Sequence, residues 1–110
     1  MSMGFDVNYD EEFDILRFHK SGEKSKYSIE AFDNLIVDMN FENKAVGIEI
    51  HNASKVLNIS KDELKNIKEA KLRNIIQGLN FGIAYELKLP KGTIESQIMM
   101  PQAKTGKHIL

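Results

Sequence analysis

The chain contains no cysteine. It therefore cannot form disulfides or thiolate metal sites, and it has no thiol nucleophile. The stability of the fold must come from packing instead. The absence of cysteine also fits a reducing compartment.

Long apolar runs are missing as well, because no unbroken stretch exceeds a few residues. A membrane-spanning helix needs about 20 such residues. The segment Met1 to Asp6 shows no basic stretch followed by an apolar one, which a secretory signal would require. We therefore expect a cytoplasmic protein that is neither secreted nor membrane-spanning. The glycosylation-type triplets at Asn52 and Asn58 are then interpreted as helix-start signals.

Motifs for common chemistries are also absent. The chain has no nucleophile elbow, phosphate-binding loop or dinucleotide fingerprint. Its three histidines, His19, His51 and His108, show no zinc-ligand spacing. Asp14 and Asp38 could face each other across strands, but no apolar pocket that would raise a carboxyl pKa is indicated. We predict no catalytic residue, no metal site and no cofactor, and the sequence supports no enzymatic activity.

The composition is that of a folded protein. The 110 residues are 42% hydrophobic and 28% charged, which is typical of a globular domain with one core. We expect residues 1–110 to form a single domain.

Charge is divided unevenly along the chain. Residues 1–52 carry five Lys and Arg against eleven Asp and Glu, whereas residues 53–110 carry ten against five. The opposite halves could attract each other within one domain or across a dimer, or the basic half could meet a polyanion. The net charge of −1 favours the first interpretation, because nucleic-acid binders usually show a basic excess.

Apolar and polar residues alternate, or apolar and β-branched residues cluster, in five stretches of the first half, which predicts strands. These stretches are residues 5–9, 13–19, 27–31, 35–39 and 45–50. The connections between them are too short for parallel crossovers. We therefore predict an antiparallel β-meander over residues 5–51.

The second half changes to a helical period. Ser60 and Glu63 form a capping-box pattern, which predicts a helix start near Lys61. The apolar residues that follow fall on about half of a helical wheel, and Gly78 offers a stop. Residues 53–79 are therefore predicted to be the helical segment.

Regular alternation returns in residues 80–89, and residues 93–99 can pair back across a Pro-Lys-Gly turn. This pattern predicts a β-hairpin over residues 80–99, followed by a mobile tail over 101–110. The predicted fold class is α+β, with an antiparallel β-meander followed by one main helix and a C-terminal β-hairpin.

Three stretches of the first half follow a known pattern: Val7-x-Tyr9-Asp10-x-Glu12-x-Asp14-x-Leu16, Leu35-Ile36-Val37-Asp38 and Val46-Gly47-Ile48-Glu49-Ile50-x-x-Ala53-Ser54. In this order and spacing they resemble the DUF2283 family, a group of small prokaryotic proteins with no assigned function. The resemblance covers residues 5–54. In the turn before Val46 the family tends to have Asp and Gly, whereas this chain has Asn40 and Asn43. The resemblance implies a β-meander and brings no catalytic residues.

Acidic residues in this region are candidates for interaction. Asp10, Glu12 and Asp14 could converge on a hard cation, but acidic residues along a turn and strand more often surround a solvated hairpin end. A pocket in which Asp10, Asp14, Asp38 or His51 converge would support a binding or catalytic role.

Residues 53–67 fit a helix-turn-helix, with a short helix, a turn at Asn58 and a capped second helix. Lys61, Lys65 and Lys68 would then approach phosphates of DNA. The acidic residues at the start of the second helix and the lack of a third supporting helix count against this hypothesis. One capped helix explains the same residues.

The function that we expect from the sequence is that of an interaction or structural module. Sheet edges left by the predicted strands are often covered by dimerisation, so we expect a homodimer, with an unidentified protein as a second type of partner. The alternative is a helix-turn-helix-like DNA-binding or antitoxin-like regulator that uses residues 53–68.

Overall fold

The structure is a computed structural model, and it describes residues 4–99. This range contains eight strands and two short helices. In chain order they are β1 (Phe5–Asp10), β2 (Ile15–Lys20), β3 (Tyr27–Phe32), β4 (Leu35–Met39), β5 (Ala45–His51), α1 (Ala53–Leu57), α2 (Lys61–Leu64), β6 (Glu69–Gln77), β7 (Asn80–Leu89) and β8 (Gly92–Met99). The predicted tail over residues 101–110 lies outside the described residues.

The first five strands form one antiparallel sheet in the order β1-β2-β5-β4-β3. All five strands were predicted, but a simple meander would have had the order of the sequence. Instead β2 pairs with β5, and the segment 21–26 crosses one end of the sheet to reach β3 at the far edge. His19 Nε2 lies 2.8 Å from Glu23 O, and Lys26 N donates to Met39 O over 2.7 Å, so both contacts fix the crossing segment.

The α+β fold class with one main helix is wrong, because the described chain is mostly β. The capping box at Ser60 and Glu63 is present, but α2 ends at Leu64 after a single turn. Glu69–Gln77, predicted as helix, is the strand β6, and it pairs with β7 along its whole length. Gly78, predicted as a helix stop, has a φ of +61° in the two-residue turn between β6 and β7. Positive φ at the first turn residue is the geometry of a type II′ hairpin turn, which glycine favours.

Strands β6, β7 and β8 form a second antiparallel sheet in that order. The sheet packs face to face on the first one, with β6 lying against β1, β2 and β5. The rings of Phe18 and Tyr85 meet between the sheets with centroids 5.7 Å apart. Fully buried residues come from both sheets and from α2; the largest are Phe18, Leu16, Ile48, Ile50, Leu64, Ile83 and Leu87.

Asn74 joins the two sheets through a side chain on the inner face of β6. Its Oδ1 accepts from Ala45 N over 2.8 Å, and its Nδ2 donates to Ala45 O over 3.1 Å. The register of β4 and β5 shifts at this point, between Asp38 and Met39. The amide of Asn74 thus replaces a backbone partner for Ala45, as buried peptide groups require.

No helix in residues 4–99 has the length and apolar character needed to cross a membrane.

Candidate functional site

Asp14 lies at the centre of the largest hydrogen-bond cluster among the sequence candidates. It is 9% exposed and has a φ of +56° where the turn after β1 enters β2. Tyr9 Oη donates to Asp14 Oδ1 over 2.6 Å. The backbone N of Ser54 donates to the same oxygen over 3.0 Å, and the hydroxyl of Ser54 donates to Oδ2 over 2.7 Å. The cluster fastens the β1–β2 hairpin to the first turn of α1.

Protonation equilibria in this cluster favour a structural role over a catalytic one. Burial raises the pKa of Asp14, but the hydrogen bonds from Tyr9 and Ser54 outweigh it and hold the pKa below its ordinary value. Burial and the adjacent Asp14 carboxylate raise the pKa of Tyr9 far above its ordinary value. Asp14 therefore remains ionised and Tyr9 remains neutral near pH 7, and neither group is tuned to exchange protons there.

The structure does not bring the other acidic candidates and His51 to Asp14. Asp10 accepts from Phe13 N over 3.1 Å and only shapes the hairpin turn. Asp38 lies at the opposite end of the sheet, where it accepts from Ser28 Oγ over 2.8 Å and its Oδ2 lies 3.6 Å from His19 Nδ1. His51 Nε2 lies 2.6 Å from Glu49 Oε2. The suggestion that Asp14 and Asp38 face each other across strands is wrong, because Asp38 is opposite Gly47.

Neither of the two best-formed pockets within residues 4–99 is lined by Asp10, Asp14, Asp38 or His51. The same described part of the chain has no group of three or more His, Cys, Asp or Glu residues that could hold a metal ion.

The structure places two of the three lysine candidates against Glu11 of the acidic half of the chain. Lys61 Nζ donates to Glu11 O over 3.3 Å, and Lys65 Nζ lies 3.3 Å from Glu11 Oε1, which raises the pKa of Lys65. Lys68 is exposed beside β6, and its backbone N donates to Lys88 O. A turn at Asn58 does connect the two short helices α1 and α2. However, α2 has four residues and is about 6 Å long, which is too short for a recognition helix. The contacts with Glu11 show that the basic and acidic halves attract each other within one chain.

Strand β8 is an edge of the second sheet. The alternation of its hydrogen bonds to β7 identifies which of its backbone N–H and C=O groups are directed outward. The turn before it has two residues, and Leu89 is opposite Gly92. Residues that close such a turn bond to each other, and bonded and non-bonded pairs then alternate. The hydrogen bond from Lys68 N to Lys88 O agrees with this alternation. It shows that the backbone groups of Lys88 in β7 are directed to β6, so those of the odd-numbered residues of β7 are directed to β8. Within β8, the backbone groups directed away from β7 are therefore those of Thr93, Glu95, Gln97 and Met99. We call this row the β8 edge.

The β8 edge has less protection against pairing than the other three sheet edges. Charged residues, register shifts and covering elements normally prevent strand addition. Strand β1 carries two acidic residues in six, β6 carries three charged residues in nine and lies against the first sheet, and β3 has a register shift near its end. Strand β8 has a continuous register and one charged residue, Glu95, in eight.

A groove of about 740 Å³, lined by both polar and apolar side chains, runs beneath β8. Its walls come from the β3–β4 turn, from α1 and from the inner faces of β7 and β8. Phe32 and Val56 on one side are 54% and 49% exposed, and Ile94 and Ile98 on the other side are half-buried. We call this space the β8 groove. An unpaired strand edge beside a groove that can take alternate side chains is an arrangement to which proteins add a strand.

The sequence candidates did not include any residue of β8. The alternation of Thr93 to Met99 predicted a strand, and three polar residues and a methionine on one face could have suggested exposure. Edge position and hydrogen-bonding phase, however, depend on which strands pair, and no local pattern carries that information.

Comparisons with known proteins agree with the resemblance found in the sequence. Residues 6–54 match the family DUF2283, described as "Protein of unknown function". An uncharacterised protein of Methanocaldococcus jannaschii is 44% identical over 62 residues, which are 56% of this chain and 53% of that protein. A Methanosarcina mazei protein, provisionally named hypoxanthine phosphoribosyltransferase, is 31% identical over 84 residues, which are 76% of this chain and 68% of that protein. No solved structure matches the chain. The chain thus spans about half the length of the first of these relatives.

Proposed function

We propose that this chain, whose residues 6–54 belong to the DUF2283 family, is a self-associating interaction module whose contact surface is the β8 edge with the β8 groove. The observation that carries the proposal is the row of outward backbone groups at Thr93, Glu95 and Gln97, which have no strand partner among residues 4–99. Strand addition would satisfy these groups and would cover the apolar residues beneath them.

The family description assigns no function that could replace this proposal. The provisional name of the Methanosarcina mazei relative denotes a transferase that acts on a base and a phosphorylated sugar. Nucleotide phosphates are commonly held by glycine-rich loops at the start of helices. The described residues offer two antiparallel sheets and helices of five residues or fewer. We therefore do not include that activity in the proposal.

The proposed partner is a second copy of the chain, which makes the module a homodimer. Another protein that presents an extended segment could use the same edge, and it is an outcome of the test below. DNA binding by residues 53–68 receives less support, because Lys61 and Lys65 already contact Glu11. We propose a cytoplasmic location, since a fold without cysteine loses no crosslink under reducing conditions.

Light scattering of the full chain across a range of concentrations tests the proposal. The unmodified chain should reach the mass of two copies. Gln97→Pro should shift the mass to one copy, because proline removes an outward N–H from the β8 edge without breaking the bonds to β7. Circular dichroism should show that the sheet content of Gln97→Pro is retained.

A matched control lies at the other edge of the same sheet. Ile76 is 73% exposed near the β6–β7 turn, and its N–H is directed away from β7 by the same alternation. Ile76→Pro should leave the mass of two copies unchanged. A single-copy mass for the unmodified chain at all concentrations, or loss of the dimer in Ile76→Pro but not in Gln97→Pro, would refute the proposal.

A further inference from the structure

Resting on the proposed function, we infer that the second copy adds to β8 antiparallel, about a two-fold axis at Ser96, so that Glu95 of each copy is opposite Gln97 of the other. The two three-stranded sheets then form one continuous six-stranded sheet.

The sequence of β8 is nearly symmetric about Ser96. Ile94 and Ile98 lie two positions to either side, on the half-buried inner face, and Glu95 and Gln97 lie one position away, on the exposed face. A two-fold axis at Ser96 places Ile94 of one copy beside Ile98 of the other. Apolar side chains therefore meet beneath the joined strands, and polar ones meet above them. A symmetric interface requires such self-complementarity.

The alternation of inward and outward backbone groups along β8 is compatible with this register. Residues 93, 95, 97 and 99 direct their backbone groups outward, so pairing 95 with 97 and 93 with 99 joins outward groups to outward groups. Ser96 directs its own groups to β7, so the two Ser96 residues form a non-hydrogen-bonded pair with Cα atoms about 4.5 Å apart. A shift by one residue in only one copy would place outward groups opposite inward ones and would lose the ladder.

Charge and packing disfavour the two adjacent symmetric registers, with the axis at Glu95 or at Gln97. An axis at Glu95 would place the two Glu95 carboxylates directly opposite each other, which is unfavourable across strands. An axis at Gln97 would leave Ile94 without a partner among residues 4–99. The axis at Ser96 avoids both problems.

The charge environment of Glu95 within one copy also favours a polar partner on its open side. Glu95 is opposite Glu86 across β7 and β8, and Lys71 lies beyond Glu86. The side of Glu95 that faces away from Glu86 has no neighbouring strand among residues 4–99. The side-chain amide of Gln97 from a second copy can donate to the Glu95 carboxylate from that side.

A pair of charge variants at one exposed position tests the register. In the inferred register Gln97→Lys places lysine opposite Glu95 twice per dimer, so the dissociation constant should fall about fivefold at low salt. Gln97→Glu places two carboxylates opposite each other twice and should raise the constant by a similar factor. If the axis were at Glu95, residue 97 would face Thr93 and neither variant would show this pattern. If the axis were at Gln97, both variants would weaken the dimer.

Disulfide crosslinking gives a second, independent readout, because the chain has no cysteine of its own. Ser96→Cys should form a covalent dimer under mild oxidation, since a separation of about 4.5 Å lies within the range that a disulfide spans. Thr93→Cys is the matched control on the same strand. In the inferred register the two Thr93 residues are about 20 Å apart, so this variant should remain uncrosslinked.

The outcomes separate the inference from the proposed function. A two-copy mass for the unmodified chain, with opposite effects of the two charge variants and crosslinking of Ser96→Cys alone, supports the register. A two-copy mass with equal crosslinking of Thr93→Cys, or with both charge variants acting in the same direction, overturns the register but leaves self-association standing. A single-copy mass overturns both.

Discussion

Ser54 Oγ donates a hydrogen bond of 2.7 Å to Asp14 Oδ2, although the two residues lie 40 positions apart in the chain. Tyr9 donates to the other oxygen of the same carboxylate. All three residues belong to the stretches that resemble the family. Their contact shows what those stretches share physically, because it joins the beginning of the first sheet to the helical turn that follows its last strand.

Replacement of Asp14 should destabilise the fold. Asp14→Ala leaves the donors of Tyr9 and Ser54 without their acceptor in a buried place, so the free energy of unfolding should fall by about 3 kcal/mol. Asp14→Asn keeps an acceptor and a side chain that tolerates positive φ, and it should cost less, about 1–2 kcal/mol. Urea denaturation monitored by circular dichroism measures both. Equal stability of Asp14→Ala and the unmodified chain would show that the cluster contributes nothing.

Stability should also depend on pH through Asp14. Its pKa in the folded state is below the ordinary value of 3.8 that applies to the unfolded chain. The contribution is therefore complete above pH 3.8 and is lost as the pH falls through the folded pKa. The difference in unfolding free energy between the unmodified chain and Asp14→Asn should shrink as the pH is lowered below about 4. A difference that stays constant from pH 7 to pH 2 would contradict this assignment.

Gly47 should not tolerate a side chain. A Cβ at this position would lie 2.6 Å from His19 Nδ1, 2.9 Å from Asp38 Oδ2 and 3.2 Å from Phe18 O. Gly47→Ala should therefore cost about 1–3 kcal/mol of unfolding free energy. The cost should be smaller when His19 is also replaced by Ala, because the closest contact is then removed.

The control for this prediction is Gly92→Ala. A Cβ at Gly92 would meet nothing within 4 Å, and Gly92 has no positive φ. The unfolding free energy of Gly92→Ala should therefore be nearly that of the unmodified chain. If Gly47→Ala were as stable as Gly92→Ala in thermal unfolding, the close packing across β2, β5 and β4 would be refuted.

Replacement of Asn74, which links the two sheets, should destabilise the fold as much as replacement of a core residue. Asn74→Ala leaves the N–H and the C=O of Ala45 without their side-chain partner, so we expect a loss of about 2 kcal/mol. Asn8→Ala, on the exposed face of β1, should change the stability by less than about 0.5 kcal/mol. Denaturant titrations of the two variants side by side measure the contrast, and similar midpoints would count against the link.

The same Asn74 explains why part of the fold could not be predicted from the sequence. A polar residue on the inner face of β6 and an apolar Ile75 on its outer face hide the alternation of a strand, and the apolar residues then fit a helical period. The capping box at Ser60 strengthened the wrong prediction, although the helix that it starts lasts one turn. Pairing with β7 decided the conformation of residues 69–77, which is a tertiary effect that propensity does not contain.

The strands of the first sheet were predictable because each carries its own alternation or apolar cluster. Their order was not, because the pairing of β2 with β5 depends on a crossing segment whose path has no local signal. Asp14 was recognised as a candidate from its spacing, yet its partners Tyr9 and Ser54 appear only once the hairpin and α1 meet. The β8 edge depends in the same way on strand order and hydrogen-bonding phase.

Amide hydrogen exchange in β8, measured at low and high protein concentration, tests the proposed interface most directly. At low concentration the amides of Ile94 and Ser96, which bond to β7, should be protected, and those of Glu95 and Gln97 should exchange rapidly. At high concentration Glu95 and Gln97 should become protected as well. If these two amides exchanged rapidly at every concentration while the mass reached two copies, the β8 edge could not be the interface.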